Sequence, residues 1–288
     1  MTAAAGRTTG ADARLPDASA ILPLAAQENF TVASLLVGRA AREHLTAIYG
    51  FARLVDQLGD EIEGDRSAAL DAFEQDVHRV FDGEPQHPLL ESLQGTVRAC
   101  DLPREPFLRL IEANRRDQRQ LTYETFADLV DYCDLSANPV GELVLHVFGA
   151  ATKERVELSD RVCTALQLAE HWQDVGEDFG HGRIYLPGED RRRFGVSDSD
   201  LGARTANEPF RKLLEFETER ARKLLDEGAP LVGTLKGRAR IAVAGYVGGG
   251  RATFDAIAGA GFDVLRETPR ATSAQKARRA FEAFRRGE

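Results

Sequence analysis

The sequence predicts an all-α protein. Apolar residues recur at three-four spacing over most of residues 27–265, and strand-like character is confined to the short run RIYLP at 183–187. The intervals between periodic runs carry Gly and Pro, the residues that stop helices. No Pro/Ser-rich linker divides the 288 residues, which favours one large domain with a single core.

The elements follow in order. Residues 1–26 begin with the small and polar MTAAAGRTTGADARLPDASA and lack the apolar stretch of a secretory signal, so they read as a disordered lead. Residues 27–265 form the predicted helical domain. Its first stripe is Ile48, Phe51, Val55, Leu58 and Ile62. Leu89/Leu90, Leu93 and Val97 make a second, and Leu129 with Tyr132/Cys133 continues the pattern. Ala165, Leu168, Trp172, Val175 and Phe179 read as one continuous stripe, and Phe210, Leu213/Leu214, Glu217, Ala221 and Leu224 as another. Breaks are expected at Gly83-Glu84-Pro85, at Leu102-Pro103, at Gly188 and at Ala229-Pro230.

Residues 266–288 form a basic tail in which seven Arg/Lys stand against three Glu. Ala277, Ala280/Phe281 and Phe284 recur there at helical spacing. A solvated, frayed terminus is the ordinary reading, and a basic amphipathic helix on an anionic membrane surface is the alternative. No repeat of 20 to 50 residues is present, and no apolar run reaches the length of a membrane-spanning helix.

The formal net charge of -9 is spread along the chain, which argues against nucleic-acid binding. Cys100, Cys133 and Cys163 are isolated, without CxxC spacing, as suits a reducing cytosol and not a structural zinc site. There is no HExxH and no G-x-S-x-G, so hydrolase readings find no support. The glycines of GYVGGGRA follow no predicted strand and lack GxGxxG spacing, so a dinucleotide-loop reading is poor.

Two acidic pairs carry the chemical signal. Asp56 and Asp60 lie four apart in RLVDQLGDE, and Asp174 and Asp178 lie four apart in WQDVGED. That spacing stacks both carboxylates on one helix face beside an apolar stripe, where like charges repel unless something compensates them. Helical steps add Tyr49 and Arg53 to the first face, and Gln167 and Glu170 to the second. One DxxxD in an acidic protein is usually a solvated face. Two, each with a basic residue nearby (Arg53, Arg183), suit Mg²⁺, a hard cation that takes one or two carboxylates and completes its shell with water and phosphate.

Four segments resemble the squalene and phytoene synthase family: ENFTVAS (28–34), IYGFARLVDQLGDE (48–61), DYCDLSANPVGELVLHVFG (131–149) and LQLAEHWQDVGEDFGHGRIYLP (166–187). SANPVG and HWQDV are most similar to the hydroxysqualene synthase branch of hopanoid gene clusters. The resemblance implies the all-α isoprenoid synthase fold, a helical bundle around a central active-site cavity with two aspartate-rich motifs facing each other. It implies Asp56, Asp60, Asp174 and Asp178 as catalytic Mg²⁺ ligands. Arg53 matches a diphosphate-contacting arginine, Arg183 the arginine that follows the second motif, Gln167 an active-site polar residue, and Ser34 the flap over the diphosphate, all four as substrate-binding residues, with Tyr49 as a further catalytic one. Glu170 replaces the usual asparagine, as a further metal ligand or a source of repulsion.

The implied chemistry is ionisation of presqualene diphosphate and capture of the cation by water, giving hydroxysqualene with Mg²⁺ and without NADPH. A condensing squalene or phytoene synthase and a non-catalytic assembly member stay open as alternatives. The expected partners are the prenyl diphosphate, pathway enzymes of hopanoid synthesis and a membrane face in the cytoplasm, with no nucleic acid. The glycine cluster Gly248–Gly250 then serves helix packing or widens the cavity for a C30 chain. Pro139 stands inside a helical pattern, so a kink is expected there, with the Leu135 carbonyl freed. Asn138 at that kink either holds the capturing water, as a catalytic residue, or shapes the bend.

Overall fold

The computed structural model describes residues 37–287. Fourteen helices lie among the described residues, and the one bridge outside them pairs Thr122 with Ile184 in parallel. Helix α1 (Arg39–Asp60) leads into α2 (Arg66–Asp82), α3 (Pro88–Cys100) and α4 (Glu105–Asp117). Then come α5 (Phe126–Ser136), α6 (Asn138–Val147), α7 (Lys153–Gln173) and α8 (Val175–Gly180). The short α9 (Gly188–Phe194) and α10 (Asp198–Leu201) precede α11 (Glu208–Gly228), α12 (Leu231–Thr234), α13 (Gly237–Gly259) and α14 (Ser273–Arg286).

Two apolar clusters hold the bundle. Ile48, Phe51, Val55 and Leu58 of α1 pack with Phe73, Leu90, Leu93 and Phe107, so the first predicted stripe forms the core of α1 to α4. Trp172, Leu168, Phe210, Leu214, Leu225, Val247 and Phe254 join α7, α11 and α13 in the second. No described helix is long and apolar enough to cross a membrane.

Three local expectations are corrected. The stripe Ala165–Phe179 is not one helix: Asp174, at φ -105° and ψ 15°, separates α7 from α8. Pro139 does not kink a helix interior. Ala137 ends α5 and begins a new helix in which Pro139 occupies the first turn, where a missing N–H costs no hydrogen bond. The tail is not frayed. A capping box between Thr272 and Gln275 starts α14, and Ala283 is fully buried in the second core.

The glycine cluster sorts itself by contact. A Cβ on Gly248 would stand 2.2 Å from the Ala280 backbone nitrogen of α14, and one on Gly250 would meet Leu166 and Leu225. Both glycines therefore serve close helix packing, and neither lines the cavity. RIYLP, expected to be strand-like, makes one isolated bridge at Ile184 and bends at Leu186. Ile184 N donates to Leu121 O at 2.8 Å and Gly188 N to Tyr123 O at 2.9 Å, tying the segment after α8 to the α4–α5 connection.

Candidate active site

A cavity of about 570 Å³ opens between α1, α4, α5, α6 and α7. Leu45, Ile48, Ala52 and Val55 of α1 face Leu110, Val140 and Val144 across it, forming an apolar wall. Tyr49, Asp56, Asn114, Ser136, Glu170 and Arg270 supply the polar lining. The amphipathic period of α1 explains this division: the helix turns one face to the core, and an adjacent face brings Asp56 into the lining with Asp60 one turn beyond it.

Beyond the lining, where Asp60, Asp174, Asp178 and Arg183 lie, the two acidic motifs are joined. Arg183 Nη2 donates to Asp60 Oδ1 at 2.5 Å, so the arginine after the second motif sits on the first. Asp178 lies beside the same guanidinium, whose charge partly offsets its own, and Arg183 N donates to the Asp178 carbonyl at 2.8 Å. Arg270, on the connection to α14, plays the corresponding part for Asp174. Gln173 and the Pro269 carbonyl are hydrogen bonded, which holds that connection against α7.

The electrostatics record crowding. Burial, then the charges of Asp174 and Glu177, push the Asp178 carboxyl up to about 7. Burial and Glu177 also raise Asp174. Asp117, which sequence reasoning missed, is pushed to about 7, chiefly by burial and further by Asp60 and Asp56; a hydrogen bond from Tyr132 (2.9 Å) and the charge of Arg183 oppose the rise. Asn114, also missed, donates from Nδ2 to Asp56 Oδ1 at 3.3 Å. Gln118 Nε2 reaches the Gly59 carbonyl at 2.9 Å, and a Cβ on Gly59 would stand 2.2 Å from Asn114 Oδ1. One face of α4 thus presses closely on the acidic face of α1.

Nearby, His171 stacks on Tyr185 with ring centroids 3.6 Å apart. Burial, with Arg183 nearby, lowers its pKa to about 3, so the imidazole is neutral and structural. Tyr123, Tyr132 and Tyr185 surround it as a packed aromatic group.

The remaining expected residues are distributed as follows. Tyr49 and Glu170 line the cavity. Gln167 contacts the His171 ring at 3.4 Å. Arg53 is turned to Glu61, at 2.8 Å, and does not line the cavity. Asn138 is buried, donates to Asp134 Oδ1 at 3.2 Å and accepts from Thr164 Oγ1 at 3.0 Å. It does not line the cavity, whereas Ser136 and Val140 on either side do; this geometry favours the bend-shaping role. Ser34 lies outside the described residues.

The donor set fits Mg²⁺. Its oxygens are hard carboxylate ligands; burial first, and neighbouring carboxylates after it, hold Asp117, Asp174 and Asp178 above the usual carboxylate range, so a bound cation would favour their charged forms. Among the described residues no three acidic, histidine or cysteine side chains converge into a ready ligand set. Any ion would therefore rest on one or two carboxylates, from Asp56 and Asp60 on one side and Glu170, Asp174 and Asp178 on the other, with the rest of its shell supplied by water and diphosphate.

Residues 25–277 match the model of the squalene/phytoene synthase family. A 15-cis-phytoene synthase of Synechococcus elongatus is 32% identical over 254 residues, which are 83% of this chain and 82% of that protein. A hydroxysqualene synthase of Zymomonas mobilis is 35% identical over 202 residues, 69% of this chain and 67% of that one. The solved structure of squalene synthase HpnC from Alicyclobacillus acidocaldarius superimposes with a TM-score of 0.80 at 47% identity, covering 85% of this chain and 94% of that one. The helical bundle is the isoprenoid synthase fold, and the chain belongs to the squalene/phytoene synthase family of enzymes acting on prenyl diphosphates.

Proposed function

We propose that the chain ionises presqualene diphosphate and releases hydroxysqualene. The observation that carries the chemistry is the ion pair of Arg183, which follows the second acidic motif, with Asp60 of the first, one helical turn beyond Asp56 in the cavity lining. Similarity to HpnC and to hydroxysqualene synthases supports this member of the family's reactions.

In the reaction the carbon–oxygen bond to diphosphate breaks, and the leaving group takes the electron pair. Arg183 and Arg270 are the cations placed to meet that charge, and bound Mg²⁺ would supply further charge compensation. Leu45, Ile48, Val55, Leu110, Val140 and Val144 hold the hydrocarbon and restrict water around the rearranging cation. Water then forms the new carbon–oxygen bond and loses its proton, so no reductant is consumed.

The test is incubation of the full chain with presqualene diphosphate and Mg²⁺, with and without NADPH, and identification of products by mass. Hydroxysqualene in both reactions supports the reading; squalene formed only with NADPH rejects it. Asp56→Asn and Asp174→Asn should each remove nearly all turnover without lowering helicity. A condensing reading is supported by the phytoene synthase, whose match covers more of this chain. Product from farnesyl or geranylgeranyl diphosphate alone would establish that second reading.

A further inference from the structure

The bundle has two chemically opposite ends. Asp56 and Asp60 close α1 at one of them; the other is where α1 starts, at Gly38, against Arg238 of α13. There the apolar wall of the cavity continues into the core, because Leu45 and Val144 cluster with Val37 and Ala242.

The surface of that second end is basic. Arg240 Nη2 donates to the Phe284 carbonyl at 2.7 Å, joining the start of α13 to the end of α14. Arg155 Nη2 donates to the Thr234 carbonyl at 2.7 Å, bringing the start of α7 to the same place. Lys236, Arg238, Arg285 and Arg286 are exposed beside them and form no ion pair among the described residues. Among the described residues the acids on these segments are Glu154, Glu157 and Glu282, and Glu282 is held by Arg279 at 2.9 Å. This concentration of cations stands in a chain of net charge -9.

The same end exposes aromatic surface. Phe281 is 63% exposed and Phe284 38%, and among the described residues only Leu121 joins them as exposed large hydrophobics. Phe281, Phe284 and Arg285 lie at i, i+3 and i+4, on one face of α14. The adjoining face is occupied, through Ala283 and the close approach of Gly248 to Ala280, one turn before Phe284. The exposed face is therefore held in a fixed orientation.

We propose that this end docks on an anionic lipid bilayer, with Phe281 and Phe284 entering the headgroup region and Arg238, Lys236, Arg285 and Arg286 meeting lipid phosphates. Exposed rings flanked by unpaired cations are the chemistry of an interfacial helix. The docking stands on the surface alone; its use, passing an insoluble hydrocarbon between the apolar end of the cavity and the bilayer, rests on the function proposed above.

Co-sedimentation of the full chain with vesicles of phosphatidylcholine, with or without phosphatidylglycerol, tests the docking without reference to activity. Wild type should sediment with the anionic vesicles, remain soluble with phosphatidylcholine alone, and be released by high salt. Each arginine near an anionic surface strengthens partitioning by about fivefold, so R285E/R286E should weaken it by at least about 25-fold. F281S should weaken it by about tenfold. Both variants change exposed side chains, and unchanged thermal melting and turnover in detergent confirm their integrity. A wild-type chain that stays in the supernatant with anionic vesicles, or an R285E/R286E variant that sediments like wild type, overturns the proposal.

Discussion

Asp60 on α1 and Arg183 after α8 form a direct ion pair, Nη2 to Oδ1 at 2.5 Å, although 123 residues separate them. The pair sets the spacing between the two acidic motifs and places one cation among Asp60, Asp117 and Asp178.

Replacing Arg183 with Ala should lower turnover by about 100-fold, the scale of losing one charged group aimed at a transition state. Stability should change by less than about 1 kcal/mol, because the two side chains are 27% and 44% exposed and water screens them. Steady-state kinetics and urea midpoints measure the two effects separately. A large fall in midpoint with little change in turnover would reverse the assignment.

The acidic site makes stability depend on pH in a stated direction. Asp117 and Asp178 have folded-state pKa values near 7, above the 3.8 of the free side chain, so the folded state binds more protons than the unfolded one between those values. The stabilisation from their protonation is fully present below about pH 4 and lost as pH rises through about 7. Metal-free protein should therefore lose their contribution over that window. Mg²⁺ with inorganic diphosphate should raise the melting temperature more at pH 8 than at pH 5.5. Asp117→Asn should flatten the metal-free profile.

The glycines of α13 should separate by contact. Gly248→Ala places a methyl group against the α14 backbone and should cost about 1–3 kcal/mol as overpacking. Gly249→Ala meets nothing within 4 Å and should stabilise by about 0.5–1 kcal/mol through helix propensity. Equal effects in chemical denaturation would remove the packing explanation.

Asn138 uses its amide on Asp134 and Thr164. Asn138→Ala should destabilise the fold by about 1–3 kcal/mol by leaving Thr164 without its acceptor, while the product mixture from presqualene diphosphate stays that of wild type. A shift toward rearranged alcohols or hydrocarbons would return this residue to the chemistry.

The first acidic face was legible because α1 is long and strongly periodic, and its carboxylates follow directly from that period. The face of α4 was not. Asn114, Asp117 and Gln118 sit inside the run NRRDQ, whose arginines turn away to Asp71, Glu74 and Gln120, so the run reads as solvated surface. The available signal was their i, i+3, i+4 spacing on the flank of Phe107 and Leu110. Arg270 lay hidden in the basic tail, since nothing local states that α14 docks and carries the preceding connection to the cavity. The break at Asp174 was equally silent: Val175 and Phe179 continue the apolar period across it.

Docking α1 against α4, and then the segment after α8 against α1, has a consequence for the order of folding. Asn114 reaches Asp56 across 58 positions and Arg183 reaches Asp60 across 123, so neither contact forms until long loops have closed. A partly folded chain with only α1 formed carries its acids apart from those of α8, where water screens them. The long-range repulsion is that of Asp117 with Asp56 and Asp60, brought together when α4 docks on α1, where Phe107 also meets Phe51. One docking event thus supplies both the apolar contact of Phe51 with Phe107 and the crowding of Asp117, so the electrostatic cost arrives together with the packing that offsets it.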